Sequence, residues 1–261
     1  MKNKRIIKWG IPIAILICIF STYFYYSFYR NSAYGIYFFN LDRGRSIFIY
    51  SKNSTILIDG GQNNQIIREL TRILPFYKRT IDSLILTSSD KKNIGGLIDL
   101  IDRYKVNKII KPEIMGTSTA LSIFEENAEK KNIKIKEVKK GDIFNIDSIS
   151  FSILFPDSSF KYNKTSLPEM ILYISYESFN ILLLGDVSKT IQKSLISEIG
   201  KVNILEYAYS ASDSRTSWDL FDKVDPDFVI ISKATNSTPF KKRNNAEIIN
   251  LRESGTRRFS F

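Results

Sequence analysis

Apolar and polar positions follow two periods along this chain, and the periods take turns. An uncharged run from Trp9 to Tyr29 comes first. From Tyr34 the pattern shortens, and Ile36–Phe39, Ser46–Tyr50 and Thr55–Ile58 read as three strands, the last two joined by the turn residues Ser51 to Ser54. Asn64 to Leu74 places Ile66, Ile67, Leu70 and Leu74 on one helical face, and Pro75 closes it. A strand over Ile81–Leu86, a helix carrying Leu97, Ile98, Leu100 and Ile101, a strand over Val106–Ile110, a helix over Thr119–Lys131 and a strand over Ile133–Val138 follow. Lys139 to Asp142 reads as a hairpin-like turn before a strand over Ile149–Phe155.

The second half repeats the alternation. Met170–Tyr176 and Phe179–Leu184 read as a β-hairpin, Ile191–Ile199 as a helix, Val202–Tyr207 as a strand, Ser217–Phe221 as a helix, Pro226–Ser232 as a strand and Ala246–Ser254 as a helix. Strands interleaved with helices at this spacing predict an α/β layered domain.

The opening run changes the picture of where that domain sits. At about 1.5 Å per residue it spans a hydrocarbon layer of roughly 30 Å. Tyr23, Phe24, Tyr25, Tyr26, Phe28 and Tyr29 crowd its outer end like an interfacial belt, and the basic cluster Lys2 to Lys8 predicts a cytoplasmic N-terminus. The sequence therefore predicts residues 1–30 as a basic N-terminus and single-pass anchor in the cell membrane, with residues 31–261 as an ectodomain outside. A cleaved signal peptide competes with this reading, with Asn31-Ser32-Ala33 as its best cleavage site.

Composition then narrows the chemistry. The net charge is +11, of which Lys2, Lys4, Arg5, Lys8 and Arg30 supply five. The remaining excess suits anionic headgroups, wall polymers or nucleic acid, although a chain rich in lysine throughout makes basic surfaces without a partner. There is no histidine, and the one cysteine, Cys18, lies in the opening run. Ser-His and Cys-His catalytic pairs are thereby excluded, as are disulfides and thiolate metal sites in the ectodomain. Only oxygen ligands remain.

Leu84 to Leu97 (Leu-Ile-Leu-Thr-Ser-Ser-Asp-Lys-Lys-Asn-Ile-Gly-Gly-Leu) is strand, loop and helix, the arrangement in which α/β proteins place their sites. It resembles the metal-binding loop of the metallo-β-lactamase superfamily in its ComEC-like form, Thr-His-x-Asp-x-Asp-His-x-Gly-Gly-Leu. Thr87, Asp90, Gly95 and Gly96 match, while Ser88 and Asn93 stand at the histidine positions and Lys92 at the second carboxylate. The resemblance extends over about Ile36 to Phe261. Phe38 to Ser46 and Leu57-Ile58-Asp59-Gly60-Gly61 are similar to the family's opening strands, with Asn40 and Arg45 at two acidic positions. Leu183-Leu184-Gly185-Asp186 is similar to Leu-Leu-Thr-Gly-Asp, and Asp186 is the best-kept ligand position; an ordinary helix N-cap would explain it as well. Ala208 to Ser212 replaces Pro-His-His-Gly-Ser, which leaves Tyr209 and Ser210 at the histidine positions. Pro226 to Ser232 matches the family's Pro-x-x-x-Ile-Ile-Ser strand.

The resemblance implies a four-layer αββα sandwich with its site at the seam between two sheets. Zinc is held by imidazole, thiolate and carboxylate groups, so the replacements imply a catalytically silent binding or scaffolding ectodomain with no catalytic residue and no cofactor. The alternative is a hydrolase or phosphodiesterase in which Asp59, Asp90, Asp186 and Asp213 hold magnesium, manganese or calcium. Partners implied are the membrane and an unknown protein or polyanionic ligand, with Lys91, Lys92 and Arg215 on the loops around the site. DNA enters only by analogy with the ComEC-like branch.

Overall fold

The structure, a computed structural model, describes residues 12–24, 35–51, 53–157, 169–207, 216–232 and 245–260. Residues 12–24 form helix α1, whose apolar side chains are exposed. Thirteen residues reach about 20 Å, short of a bilayer core. Among the described residues no helix is long and apolar enough to cross a membrane. The membrane-spanning helix expected from Trp9 to Tyr29 runs past the described residues at both ends.

Two seven-stranded sheets carry the rest. The first contains β1 (Gly35–Phe38), β2 (Ile47–Tyr50), β3 (Thr55–Ile58), β5 (Ser83–Ile85), β7 (Lys108–Pro112), β8 (Lys134–Val138) and β16 (Arg257–Phe259), in the order β16-β1-β2-β3-β5-β7-β8. The second contains β9 (Ile143–Ile146), β10 (Ile149–Phe155), β11 (Ile171–Tyr176), β12 (Phe179–Gly185), β13 (Ile204–Tyr207), β14 (Phe228–Ile231) and β15 (Glu247–Asn250), in the order β15-β14-β13-β12-β11-β10-β9. A short pair, β4 (Thr80–Ile81) and β6 (Lys105–Val106), stands apart.

Side-chain alternation makes the layers. Ile47, Ile49, Ile56 and Ile58 face Ile181, Leu183, Ile204 and Ile230 across the seam in one core. Phe48 and Leu57 point the other way, against α2 (Gln65–Ile73), α3 (Lys91–Arg103) and α4 (Thr119–Lys130). Leu182, Leu205 and Val229 pack against α6 (Trp218–Val224) and the segment around α5 (Lys189–Ser194). The result is helix, sheet, sheet, helix: the α/β layered domain that the residue pattern predicts, in the αββα form that the resemblance implies.

Three expectations change. Lys139 to Asp142 is a tight turn, with Asp142 N–H donating to Lys139 O at 3.0 Å, but it carries the chain from β8 in one sheet to β9 in the other. It closes no hairpin; the hairpin is β9–β10, which follows it. The helix expected over Ala246–Ser254 divides, because Ile248 and Ile249 join the parallel ladder of β14, and only α7 (Leu251–Ser254) is helical. Helix α5 begins three residues after Asp186 with Ser188 as its cap, so Asp186 is not the N-cap.

Candidate functional site

The seam is filled at one end by a cation that the chain itself supplies. Strand parity places Arg45 with Ile47, Thr87 with Ile85 and Glu206 with Ile204 on the inter-sheet side. The Arg45 side chain is 1% exposed. Its Nε donates to Asp59 Oδ2 at 3.0 Å, Nη1 to Glu206 Oε2 at 2.9 Å and Nη2 to Thr87 Oγ1 at 2.7 Å. Thr87 in turn donates from N to Asp59 Oδ1 at 2.9 Å and from Oγ1 to Asp59 Oδ2 at 2.5 Å. Ser232 Oγ donates to Glu206 Oε1 at 2.9 Å. One planar guanidinium thus ties the first sheet, through Asp59 and Thr87, to the second, through Glu206.

A second cation lies nearby. Lys92 Nζ stands 3.3 Å from Asp90 Oδ2 and 3.9 Å from Asp186 Oδ2. Asp90 also caps α3, with its Oδ1 accepting from Lys92 N at 3.0 Å. Glu169 joins these loops: Oε1 accepts from Asn93 Nδ2 at 3.3 Å and Oε2 from Asp186 N at 2.6 Å. Ser88 is buried, and its Oγ accepts from Asp90 N at 3.1 Å. Lys91 is exposed. Asp213, Tyr209, Ser210 and Arg215 lie outside the described residues.

The conspicuous glycine pair serves packing. A Cβ at Gly95 would come within 2.2 Å of Gln62 O, and one at Gly96 within 2.3 Å of Asn63 O and Gly60 O. Side chains there would push α3 off the Gly60–Asn63 loop and away from Asp59. The pair is therefore required whether or not a metal is bound.

Of the four expected oxygen ligands, Asp59 is taken up by Arg45 and Thr87, while Asp90 and Asp186 flank an ammonium. The described residues do not fit a divalent metal. A dication 4 Å from the guanidinium would meet a repulsion on the order of 8 kcal/mol at an effective dielectric of 20. Among the described residues no three histidine, cysteine, aspartate or glutamate side chains are grouped to hold one.

Sequence reasoning missed Glu169 and Glu206. Glu206 had a usable signal, since a carboxylate in the otherwise apolar strand Val202–Tyr207 demands a buried partner. Glu169 had none, because nothing in Pro168-Glu169-Met170 tells a strand-edge carboxylate from a loop charge.

Burial alone would push the Arg45 guanidinium down, but Glu206, Asp59 and Glu169 more than offset it, so the net shift is up and the group stays charged. Burial pushes Asp59 and Glu206 above the ordinary carboxylate range, and the attraction of Arg45 only partly reverses this. A carboxyl raised in the folded state holds its proton more tightly there than in the unfolded chain. Its contribution to stability is therefore full below the unfolded pKa and lost as pH rises through the folded one. The stability of the wild type relative to Glu206→Gln should accordingly fall as pH rises from about 5 to about 8. Urea melts at both ends of that range check it, and a difference that grows with pH would contradict it.

No protein-family model matches the chain. The sequence is 22% identical over 204 residues to ComE operon protein 3 of Bacillus subtilis (strain 168), a match covering 72% of this chain and 26% of that protein. The chain thus spans about a quarter of that relative. Among solved structures, the metallo-β-lactamase fold protein YhfI from Bacillus subtilis superposes with a TM-score of 0.60 at 12% identity, covering 87% of this chain and 100% of that one. The short form of human tRNase Z (ELAC1) superposes with a TM-score of 0.53 at 12% identity, covering 76% and 91%. Identities this low carry the architecture and not the chemistry. The chain has the metallo-β-lactamase fold, and its sequence is similar to the ComEC-like branch of that superfamily.

Proposed function

We propose that this chain is a membrane-anchored, non-hydrolytic domain of ComEC-like type that binds or scaffolds through its surface, its metal cleft being closed by its own side chains. The observation that carries this reading is the buried Arg45 guanidinium bonded to Asp59, Glu206 and Thr87. Metal-assisted hydrolysis needs an ion with an open coordination position that can polarise a phosphoryl group or activate water. A guanidinium has no such position and cannot give up its proton at any ordinary pH. The uncharged run from Trp9 to Tyr29 and the basic cluster before it support the anchor, with the N-terminus cytoplasmic and the folded part outside.

The test pairs elemental analysis with an assay. Full-length protein purified in detergent and incubated with zinc, manganese or magnesium should retain well under one equivalent of metal after desalting. It should also leave a generic phosphodiester such as bis(p-nitrophenyl) phosphate intact. Near-stoichiometric metal together with turnover that a chelator abolishes would overturn the reading.

A further inference from the structure

The first sheet has two unlike ends. Asp59, Thr87 and the Arg45 cleft lie where β3 and β5 finish. The opposite end holds the start of β1, because Gly35 pairs with Tyr50 and Tyr50 with Thr55. Thr55 Oγ1 donates to Thr80 O at 3.0 Å, so the loop from α2 into β4 belongs to this end as well. Lys78 fixes that loop, its Nζ lying 3.5 Å from Tyr50 Oη and 4.6 Å from the centre of the same ring.

At the tip of the loop stand Phe76, 85% exposed, and Tyr77, 62% exposed. Their rings meet edge to face with centroids 5.4 Å apart. Two adjacent aromatic rings held out in solvent on an anchored loop mark a contact surface. Around them lie Lys78, Arg79, Lys105, Lys108 and Lys134: Lys105 N donates to Arg79 O at 2.8 Å, and Lys108 pairs with Lys134 across β7 and β8. None of the five forms an ion pair among the described residues. The acids of this edge are already engaged, Asp82 by Thr55 N and Asn107 Nδ2, both at 2.9 Å, and Asp102 by Lys131 at 3.0 Å. The second sheet's half of the same end is acidic instead, with Asp147, which accepts from Ser51, and Glu177 on its hairpin turns. Aromatic rings ringed by unneutralised lysine and arginine suit the boundary between water and lipid, where the rings enter the headgroup layer and the cations meet anionic headgroups.

We infer that this end of the first sheet rests on the lipid surface, with Phe76 and Tyr77 inserted among the headgroups. The inference depends on the membrane anchor proposed above. Gly35 is six residues beyond Tyr29, a reach of at most about 20 Å even when fully extended, so the end of the sheet that carries the aromatic tip stays close to the bilayer. The acidic half is held off anionic lipid, which tilts the domain onto its first sheet. The Arg45 cleft and the loops around it then face away from the membrane.

The experiment uses the full chain carrying Cys18→Ser, which removes its one native thiol, in vesicles of mixed phosphatidylcholine and phosphatidylglycerol. A bimane fluorophore is attached at Lys105→Cys, beside the tip, or at Lys91→Cys, at the cleft end; both positions are exposed. A nitroxide on the lipid headgroups should quench the fluorophore at 105 and spare the one at 91. Phe76→Ser together with Tyr77→Ser should cut the quenching at 105 by at least about half, since the burial of two rings holds the contact. Both side chains are exposed, so the thermal melt of that variant should match its parent. Vesicles of phosphatidylcholine alone should also lower the quenching at 105. Equal quenching at the two positions, or quenching at 105 that the serine pair leaves unchanged, would overturn the inference. Release of the chain from the vesicles by alkaline carbonate would overturn the anchor and this orientation together. Retention of the chain with 105 unquenched would overturn the orientation alone and leave the aromatic pair to a protein partner.

Discussion

Arg45→Ala is expected to destabilise the protein by about 3–5 kcal/mol, because it strips the partner from two buried carboxylates and leaves them uncompensated. Both Asp59 and Glu206 are fully buried and accept from Arg45 at about hydrogen-bond distance. Two companion measurements separate the lost clamp from simple loss of side-chain volume. Millimolar guanidinium or methylguanidinium, far below denaturing levels, should raise the melting temperature of Arg45→Ala while leaving the wild type unmoved. The triple change Arg45→Met, Asp59→Asn, Glu206→Gln should lie closer to the wild type than Arg45→Ala does, since removing all partners of a buried ion cluster is less damaging than removing one. If the triple variant proves the least stable, the cluster is a stability device and not a positional one.

Gly44→Ala is the other large effect. Gly44 sits at φ +84° beside Arg45, and an added Cβ would fall 1.6 Å from the backbone oxygen of Lys92. No rotamer change can relieve a clash with backbone, so either the loop or the start of α3 must move, taking Arg45 or Lys92 with it. Gly141→Ala is the matched control, with φ +90° and nothing within 4 Å of the new Cβ. Its cost should be the conformational one alone, about 1–2 kcal/mol, whereas Gly44→Ala should cost more than about 4 kcal/mol. Denaturant melts of the pair check this, and equal losses would mean the close approach of Gly44 to Lys92 is not maintained in solution.

The layered fold was legible because the strand and helix periods are strong where both faces are buried. The alternation of Ile47, Phe48 and Ile49 already states that β2 is covered on two sides. The resemblance added the location of the seam, and it identified Arg45 as standing where an acidic residue is expected. What the sequence could not say was that Arg45 fills one end of the seam, because pairing between residues 45 and 206 is a property of the packed sheets and not of either segment. The region around Ile248 failed for a related reason. Its short apolar stretch fits a helix or a buried strand equally, and only the open edge of β14 decides between them. The sheet-to-sheet turn at Lys139 likewise looks locally like any Gly-Asp reversal.

An ion held by coordination can be lost to a scavenger, exchanged for a neighbour or missing at synthesis. A guanidinium joined to the backbone cannot. The joint between the two halves of this sandwich therefore needs nothing but the folded chain, and its integrity does not vary with the supply of trace elements. The register between the two sheets is thus kept under conditions that would strip a coordinated ion.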